Sequence, residues 1–133
     1  GILSGTLASL TGIFVLCMLF GFNHQQYVTM LPKSITTAIG IGISEELGGI
    51  VTITVAVIII TGILGNVIAD TVFHIFKIKN PLAKGLALGT ASHAIGTARA
   101  IEMGPVEGAM SSLAVAVAGL LTVVFVSGFA QLI

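Results

Sequence analysis

Charge is what this sequence has least of. Five Lys and Arg and five Asp and Glu make up 8% of 133 residues, against roughly 25% in a soluble domain. So few charges cannot cover a water-facing surface without leaving large apolar patches, which excludes an ordinary soluble domain. The zero net charge gives no basic field, so no nucleic-acid partner is expected. A single cysteine, Cys17, excludes an intrachain disulfide, and its place in an apolar run assigns it to packing. Trp is absent and Tyr occurs once, as Tyr27, so the aromatic belt that marks a membrane interface is sparse, with Tyr27 expected there. Enzyme signatures are missing too: there is no G-x-S-x-G elbow, no H-E-x-x-H and no Walker lysine. His24, His74 and His93 are scattered without metal-ligand spacing. Neither an enzyme nor a cofactor or metal is expected.

What is present is hydrophobic: 56% of the chain, with a mean hydropathy of +1.15. Residues 1–32, 47–69 and 108–133 contain no charge. A spanning helix needs about 20 apolar residues at about 1.5 Å each, and all three runs are long enough. The chain therefore reads as an all-α integral membrane protein, multi-pass, in a cell (inner) membrane, with residues 1–133 forming a single transmembrane domain. Spanning helices are predicted over 2–22, from 47 to roughly 73, and over 108–133. In the first, Ser4, Thr6, Ser9 and Thr11 are the only hydroxyls, and each is able to bond its own backbone. In the second, Gly62 and Gly65 are placed for a close helix contact. The stretch "HIFKIKNPLAK" (74–84) carries three lysines and is the best cytoplasmic loop under the positive-inside rule. Asp70 is expected to pair with it. The chain opens with Gly rather than Met, as a processed product or a piece of a longer protein would.

Two segments differ from these spans. Residues 28–46 are apolar on average but hold Pro32, Lys33, Ser34, Thr36, Thr37, Gly40, Gly42 and Ser44. Helix propensity is weakest over 40–44, which places a break there, or a re-entrant hairpin. Residues 85–103, "GLALGTASHAIGTARAIEM", form the second interrupted segment. The two match each other: Ala38-Ile39-Gly40 recurs as Ala94-Ile95-Gly96, Ser34 and Thr36 fall on Thr90 and Ser92, Glu46 on Glu102, and Gly48 on Gly104. Paired interrupted segments are the best sequence pointer to a transporter's binding site. A helix broken inside hydrocarbon leaves backbone N–H and C=O groups unpaired, at several kcal/mol each, unless protein, water or substrate satisfies them. Helix N-termini at such a break suit carboxylates. The expected architecture is three spanning helices plus two discontinuous or re-entrant helical segments, part of a carrier-like broken-helix fold.

Ionisable groups inside membrane segments are functional by default. Lys33, Ser34, Thr36 and Thr37 of "LPKSITT", with Thr90, Ser92, His93, Thr97 and Arg99 of "GTASHAIGTAR", form the candidate set for a small organic anion. Lysine draws the anion in, hydroxyls bind it, arginine offers a planar fork to a carboxylate, and His93 is a ligand or proton carrier near neutral pH. The bland alternatives are a lysine and arginine reaching for headgroups, a histidine bridging two helices, and hydroxyls capping backbone. Glu46, Glu102 and Glu107 are candidates for proton or sodium coupling, whereas Glu45 reads as a membrane-edge residue. Gly85/Gly89 and Gly104/Gly108 are spaced for helix contacts and fit an alternative class, an oligomeric membrane regulator. A homo-oligomer in the lipid bilayer is expected.

On "MLPKSITT" (30–37), Gly48-Gly49, "IKNPLAKGLALGTASHAIGTA" (78–98) and "EGAMSSLA" (107–114) the chain resembles the LrgB/CidB family of antiholin-like membrane proteins, in its C-terminal portion. Ala38 and Pro105 depart from the family pattern, which has a proline after the two threonines and commonly an acidic residue at the second position. The resemblance implies either of two functions. One is transport of small carboxylates of the pyruvate, glycolate or glycerate class, as in the plastid glycolate/glycerate translocators. The other is holin/antiholin-like control of murein hydrolase activity and cell lysis, with a smaller LrgA/CidA-like membrane partner. It also implies, more loosely, a broken-helix fold with inverted repeats.

Overall fold

The computed structural model describes every residue, Gly1–Ile133, and is entirely helical. In chain order the elements are α1 (Ile2–Leu19), α2 (His24–Met30), α3 (Thr37–Glu46), α4 (Val51–Ile75), α5 (Pro81–Met103) and α6 (Pro105–Ala130). Three of them, α1, α4 and α6, are long and apolar enough to cross a membrane, with mean hydropathy of 2.1, 2.4 and 2.4 over their best windows. Their outward residues are Leu, Ile and Val, for example Ile60, Leu64, Val67, Leu120 and Val124. Such a surface is stable against hydrocarbon and not against water.

The other elements do not cross. Asn23 caps α2 with a reciprocal Asn23–Gln26 pair, and the helix runs to Met30. The chain then turns through residues 31–36 and returns as α3. Contacts between α2, α3 and the start of α4 pair off in reverse order. Gln25 bonds the Gly48 carbonyl (3.4 Å). The Thr29 hydroxyl accepts from the Ile50 N–H (2.8 Å), its carbonyl accepts from Thr54, and Thr54 bonds Ser44. Pro32 lies against Gly40. Residues near the start of α2 thus meet residues near the end of α3, so the pair forms a re-entrant hairpin whose tip is the 31–36 turn. The break falls at this turn and not over residues 40–44, which sit inside α3. Gly40 is there because Ile58 of α4 leaves no room for a Cβ.

Helix α5 doubles back as well. His93 has φ 43° and ψ −138°, outside any helix. Residues 81–92 run antiparallel to α4: Ser92 lies on Gly65, and Lys84 over the Phe73 ring. Residues 94–103 run parallel to it: Asn66 donates to the Ile95 carbonyl (3.0 Å) and Asp70 pairs with Arg99. On α6 the order is the opposite. Gly85 and Gly89 meet the carbonyls of Glu107 and Ser111, whereas Thr97 meets Ser111 and Ile101 meets Gly108. Two arms that run oppositely along both neighbours form a second re-entrant hairpin, with His93 at its tip.

The hairpins enter from opposite ends. The base of the first sits with the C-terminal ends of α1 and α6: the Tyr27 hydroxyl donates to the Phe129 carbonyl (2.8 Å), and its ring lies edge-on to Phe14. Tyr27 is fully buried, so its ring packs inside the protein and not in an outward-facing interfacial belt as expected. The base of the second sits with the N-terminal ends of α1 and α6, where Leu86 lies against Gly1. Each hairpin is followed by a crossing helix, so the two halves, α2–α4 and α5–α6, have opposite orientation. The sequence match gains a structural meaning: Thr37, the first residue of α3, corresponds to His93, and both open the returning arm. The main apolar core, built from Leu10, Ile13, Cys17, Tyr27, Val28, Leu31, Ile35, Ile43, Val126 and Ala130, fills the first hairpin's half of the molecule.

Candidate functional site

The two tips meet near the middle of the spanning helices. Thr90 lies on Gly5 of α1, Ser34 bonds Ser9 of α1, and both Thr90 and Ser34 line one small pocket with Ala118 and Thr122 of α6. Ile58 of α4 joins the tips from the other side: its side chain lies on Gly40 and its carbonyl accepts from His93 Nε2 (2.9 Å).

Above the first tip is a cleft of about 710 Å³ between α1 and the descending arm of α5. Gly1 and Ala83 stand at its outer end, and Ser4, Gly5, Ala8, Leu86 and Ala87 form its walls. Lys33, Ser34, Ser9 and Thr90 lie at its inner end. The small side chains along these walls leave unfilled the space that the cleft occupies. Opposite the cleft, Leu10, Leu31 and Ile35 belong to the packed core, so the cleft is open towards the lysine loop and closed towards the other end.

The donors at the inner end are arranged for an acceptor. Lys33 Nζ donates to Ser34 Oγ (2.7 Å), and Ser9 Oγ also donates to it (2.9 Å). Ser34 then has its own O–H free of any protein acceptor, and the ammonium has two further N–H bonds free of one. Lys33 forms no ion pair. Thr36 precedes α3 without a side-chain cap, and Thr36 and Thr37 make no side-chain hydrogen bond, so the first-turn N–H groups of α3 stay open near the tip. Thr90 is less available, since its hydroxyl donates to the Leu86 carbonyl (2.8 Å). A lysine and two serines converge at the inner end of the cleft, an arrangement whose charge and donors suit an anion, whereas Thr36 and Thr37 do not line it.

The second tip is closed in by its neighbours. His93 is 3% exposed, and its imidazole fills the space left by Gly62, where an added methyl would stand 2.7 Å from Cε1. Because a carbonyl only accepts, the Ile58 bond requires a proton on Nε2. Ser92 is buried against Gly65. Thr97 bonds the His93 carbonyl (2.9 Å) and Ser111 Oγ (2.8 Å). Arg99 is far from the cleft: it pairs with Asp70 and with Glu102 (2.6 Å), and the lysine loop does not take Asp70 as its partner. Glu46 and Glu102 are exposed, and Glu107 is half-buried beside Gly104. None of the three lines the cleft. The structure therefore brings Lys33, Ser34 and Thr90 together, sets Ser92, His93 and Thr97 as the frame behind them, and leaves Arg99 and the glutamates apart. Gly85 and Gly89 serve the contact of α5 with α6 inside the chain, not an outer face.

Ser9 is the site residue that sequence reasoning missed. It was expected to bond its own backbone, as Ser4 and Thr6 do. The available signal was its register: Gly5, Ala8 and Ser9 put small residues on one face of an otherwise bulky helix, which marks a close or polar neighbour.

The chain has close relatives. A family model described as LrgB-like matches residues 1–132. The antiholin-like protein LrgB of Bacillus subtilis (strain 168) is 41% identical over 132 residues, covering 99% of this chain and 57% of that protein. The protein of the same name from Bacillus cereus (strain B4264) is 42% identical over 128 residues, covering 96% of this chain and 56% of the relative. This chain thus spans little more than half the length of these curated relatives. No solved structure matches it.

Proposed function

The chain belongs to the LrgB-like family, and from that premise we propose that the complete protein is a secondary carrier of small carboxylates, of the pyruvate, glycolate or glycerate class. The observation that carries the reading is the pair of opposed re-entrant hairpins with an unpaired lysine at their meeting point. Unwound backbone at membrane depth is tolerated where it lines a cavity, and paired breaks of this kind surround substrate in carriers. Removing a carboxylate from water costs several kcal/mol. Lys33 and the free hydroxyl of Ser34 supply charge and donors to offset that cost. A carboxylate oxygen at the inner end of the cleft would accept from Lys33 and Ser34, while a substrate hydroxyl would donate to the Ser9 or Thr90 oxygen, whose own protons go to Ser34 and the Leu86 carbonyl. His93 and Thr97 hold the second tip in place. Proton or sodium coupling belongs to the same proposal, with Glu46, Glu102 and Glu107 lying outside the cleft.

The test is counterflow of labelled pyruvate or glycolate in proteoliposomes carrying the full-length protein. Saturable uptake that unlabelled carboxylate drives, and that Lys33→Ala removes, is the expected result. Uptake that Lys33→Ala leaves untouched would overturn this assignment of the site.

A second reading rests on the relatives' names, which describe an antiholin-like protein and no enzyme. In that reading the protein regulates murein hydrolase activity and lysis, with a smaller LrgA/CidA-like partner. Leakage separates the two: a pore-type regulator passes unrelated dyes without saturating, whereas a carrier discriminates and saturates. In either case the positive-inside rule favours a cytoplasmic lysine loop, and with it the N-terminus of α1.

A further inference from the structure

Three helices of this protein end in the same way. After α1, the Phe22 N–H bonds the Cys17 carbonyl (2.9 Å); after α3, the Gly49 N–H bonds that of Ser44 (2.7 Å); after α4, the Ile78 N–H bonds that of Phe73 (2.8 Å). Each end turns through one residue of positive φ: Gly21 (65°), Gly48 (76°) and Lys77 (54°). This closing turn favours glycine, because an L side chain is strained there. Two of the three positions obey, and the third carries a lysine. A strained residue at a surface turn points to a use for its side chain.

That side chain borders a cleft of about 560 Å³, formed by the end of α4, the 76–80 loop and the start of α5. Lys77, Lys79, Lys84, His74 and Asp70 line it, with Phe73 on one wall. Lys84 Nζ stands 5.8 Å from the Phe73 ring centroid. The lone carboxylate there, Asp70, is held by Arg99, which also holds Glu102. No lysine of the cleft forms an ion pair or a side-chain hydrogen bond. Three cations therefore share one concavity with their only acidic neighbour already engaged, at the end of a spanning helix where headgroups lie.

We propose that this cleft is a phosphate-binding site, whose ligand is the phosphate of an anionic lipid headgroup or a free phosphate from the adjoining solution. It is separate from the carboxylate cleft, with which it shares no lining residue, and does not depend on the carrier reading. Lysines act as point charges on phosphate, and basic pockets between membrane helices on the cytoplasmic side take anionic headgroups.

The experiment uses the purified full chain. Retained lipid is counted by native mass spectrometry after exposure to phosphatidylglycerol or phosphatidylcholine, and a thermal-unfolding series is run with inorganic phosphate. Wild type should retain phosphatidylglycerol over phosphatidylcholine by about tenfold, and K79Q/K84Q should lose that preference. Stabilisation by inorganic phosphate without lipid retention keeps the site and assigns its ligand to the solution side. Lys77→Gly serves as a control on folding: it should unfold at a higher temperature without ligand and yet bind more weakly. Equal retention of both lipids with no response to phosphate overturns the proposal, as does a K79Q/K84Q variant that binds like wild type.

Discussion

The two re-entrant hairpins share a sequence pattern and differ at their tips. The first turns through six residues, 31–36, and leaves Lys33 and Ser34 with donors to spare. The second turns at one residue, His93, whose ring is packed on Gly62 and bonded to Ile58. Around it Asn66, Thr97 and Ser111 take up the polar groups of the returning arm. One tip presents chemistry to a cleft and the other is a fitted piece of the frame. Tolerance to substitution should differ accordingly: changes at the first tip should cost flux, and changes at the second should cost stability.

The sharpest test of that contrast is Lys33→Ala. It removes the one cation at the cleft, and carboxylate flux should fall roughly 100-fold or more, the scale of leaving a buried charge unpaired. The unfolding midpoint should hold or rise. A loss of folding instead would erase the distinction between the tips. Next comes Gly89→Leu, which drives a side chain into the Ser111 carbonyl and Ala114. Overpacking of this kind costs about 1–3 kcal/mol or more, read from denaturant unfolding in detergent. His93→Ala should cost about 1–3 kcal/mol through the space it leaves over Gly62 and the lost bond to the Ile58 carbonyl, which keeps its helical partner. His93→Gly should be the more stable of the two by roughly 1 kcal/mol, because φ of 43° suits glycine. An ordinary helix would rank them the other way, so this pair reports directly on the turn. Thr97→Val should cost about 0.5–1.5 kcal/mol with flux intact. Smallest of all, Arg99→Lys should leave flux unchanged, since its partners Asp70 and Glu102 are exposed.

The sequence made the crossing helices legible to within a few residues, since their limits depend only on apolar length. Spans predicted over 2–22, 47–73 and 108–133 became Ile2–Leu19, Val51–Ile75 and Pro105–Ala130. The repeat was legible because both returning arms open with the same Ala-Ile-Gly. The position of the first break was not. Gly40 and Gly42 look like helix breakers by propensity, but a buried glycine also marks a place where a neighbour comes close, and Ile58 does so at Gly40. Whether a broken segment crosses or returns is decided by which residues of α4 and α6 it meets, and no local pattern encodes that. Lys33, Ser34 and Thr90 were legible as polar groups in apolar surroundings. Ser9 was not, because a serine in a helix bonds its own backbone or a neighbour with equal ease.

The bonds that hold the first hairpin gather at one end. Gln25, Tyr27, Thr29 and Ser44 are all tied near its base, while Ser34 alone ties its tip to α1. Mechanically this is a beam bonded at its root and held at its tip by the packing of Leu31 and Ile35. Its longer arm, α3, has ten residues and so measures roughly 15 Å, and a tilt of about 10° at the root would carry Lys33 by about 3 Å. A stroke of that size is comparable to a hydrogen bond, and it would make or break the lysine's contacts without unwinding a single turn of a spanning helix.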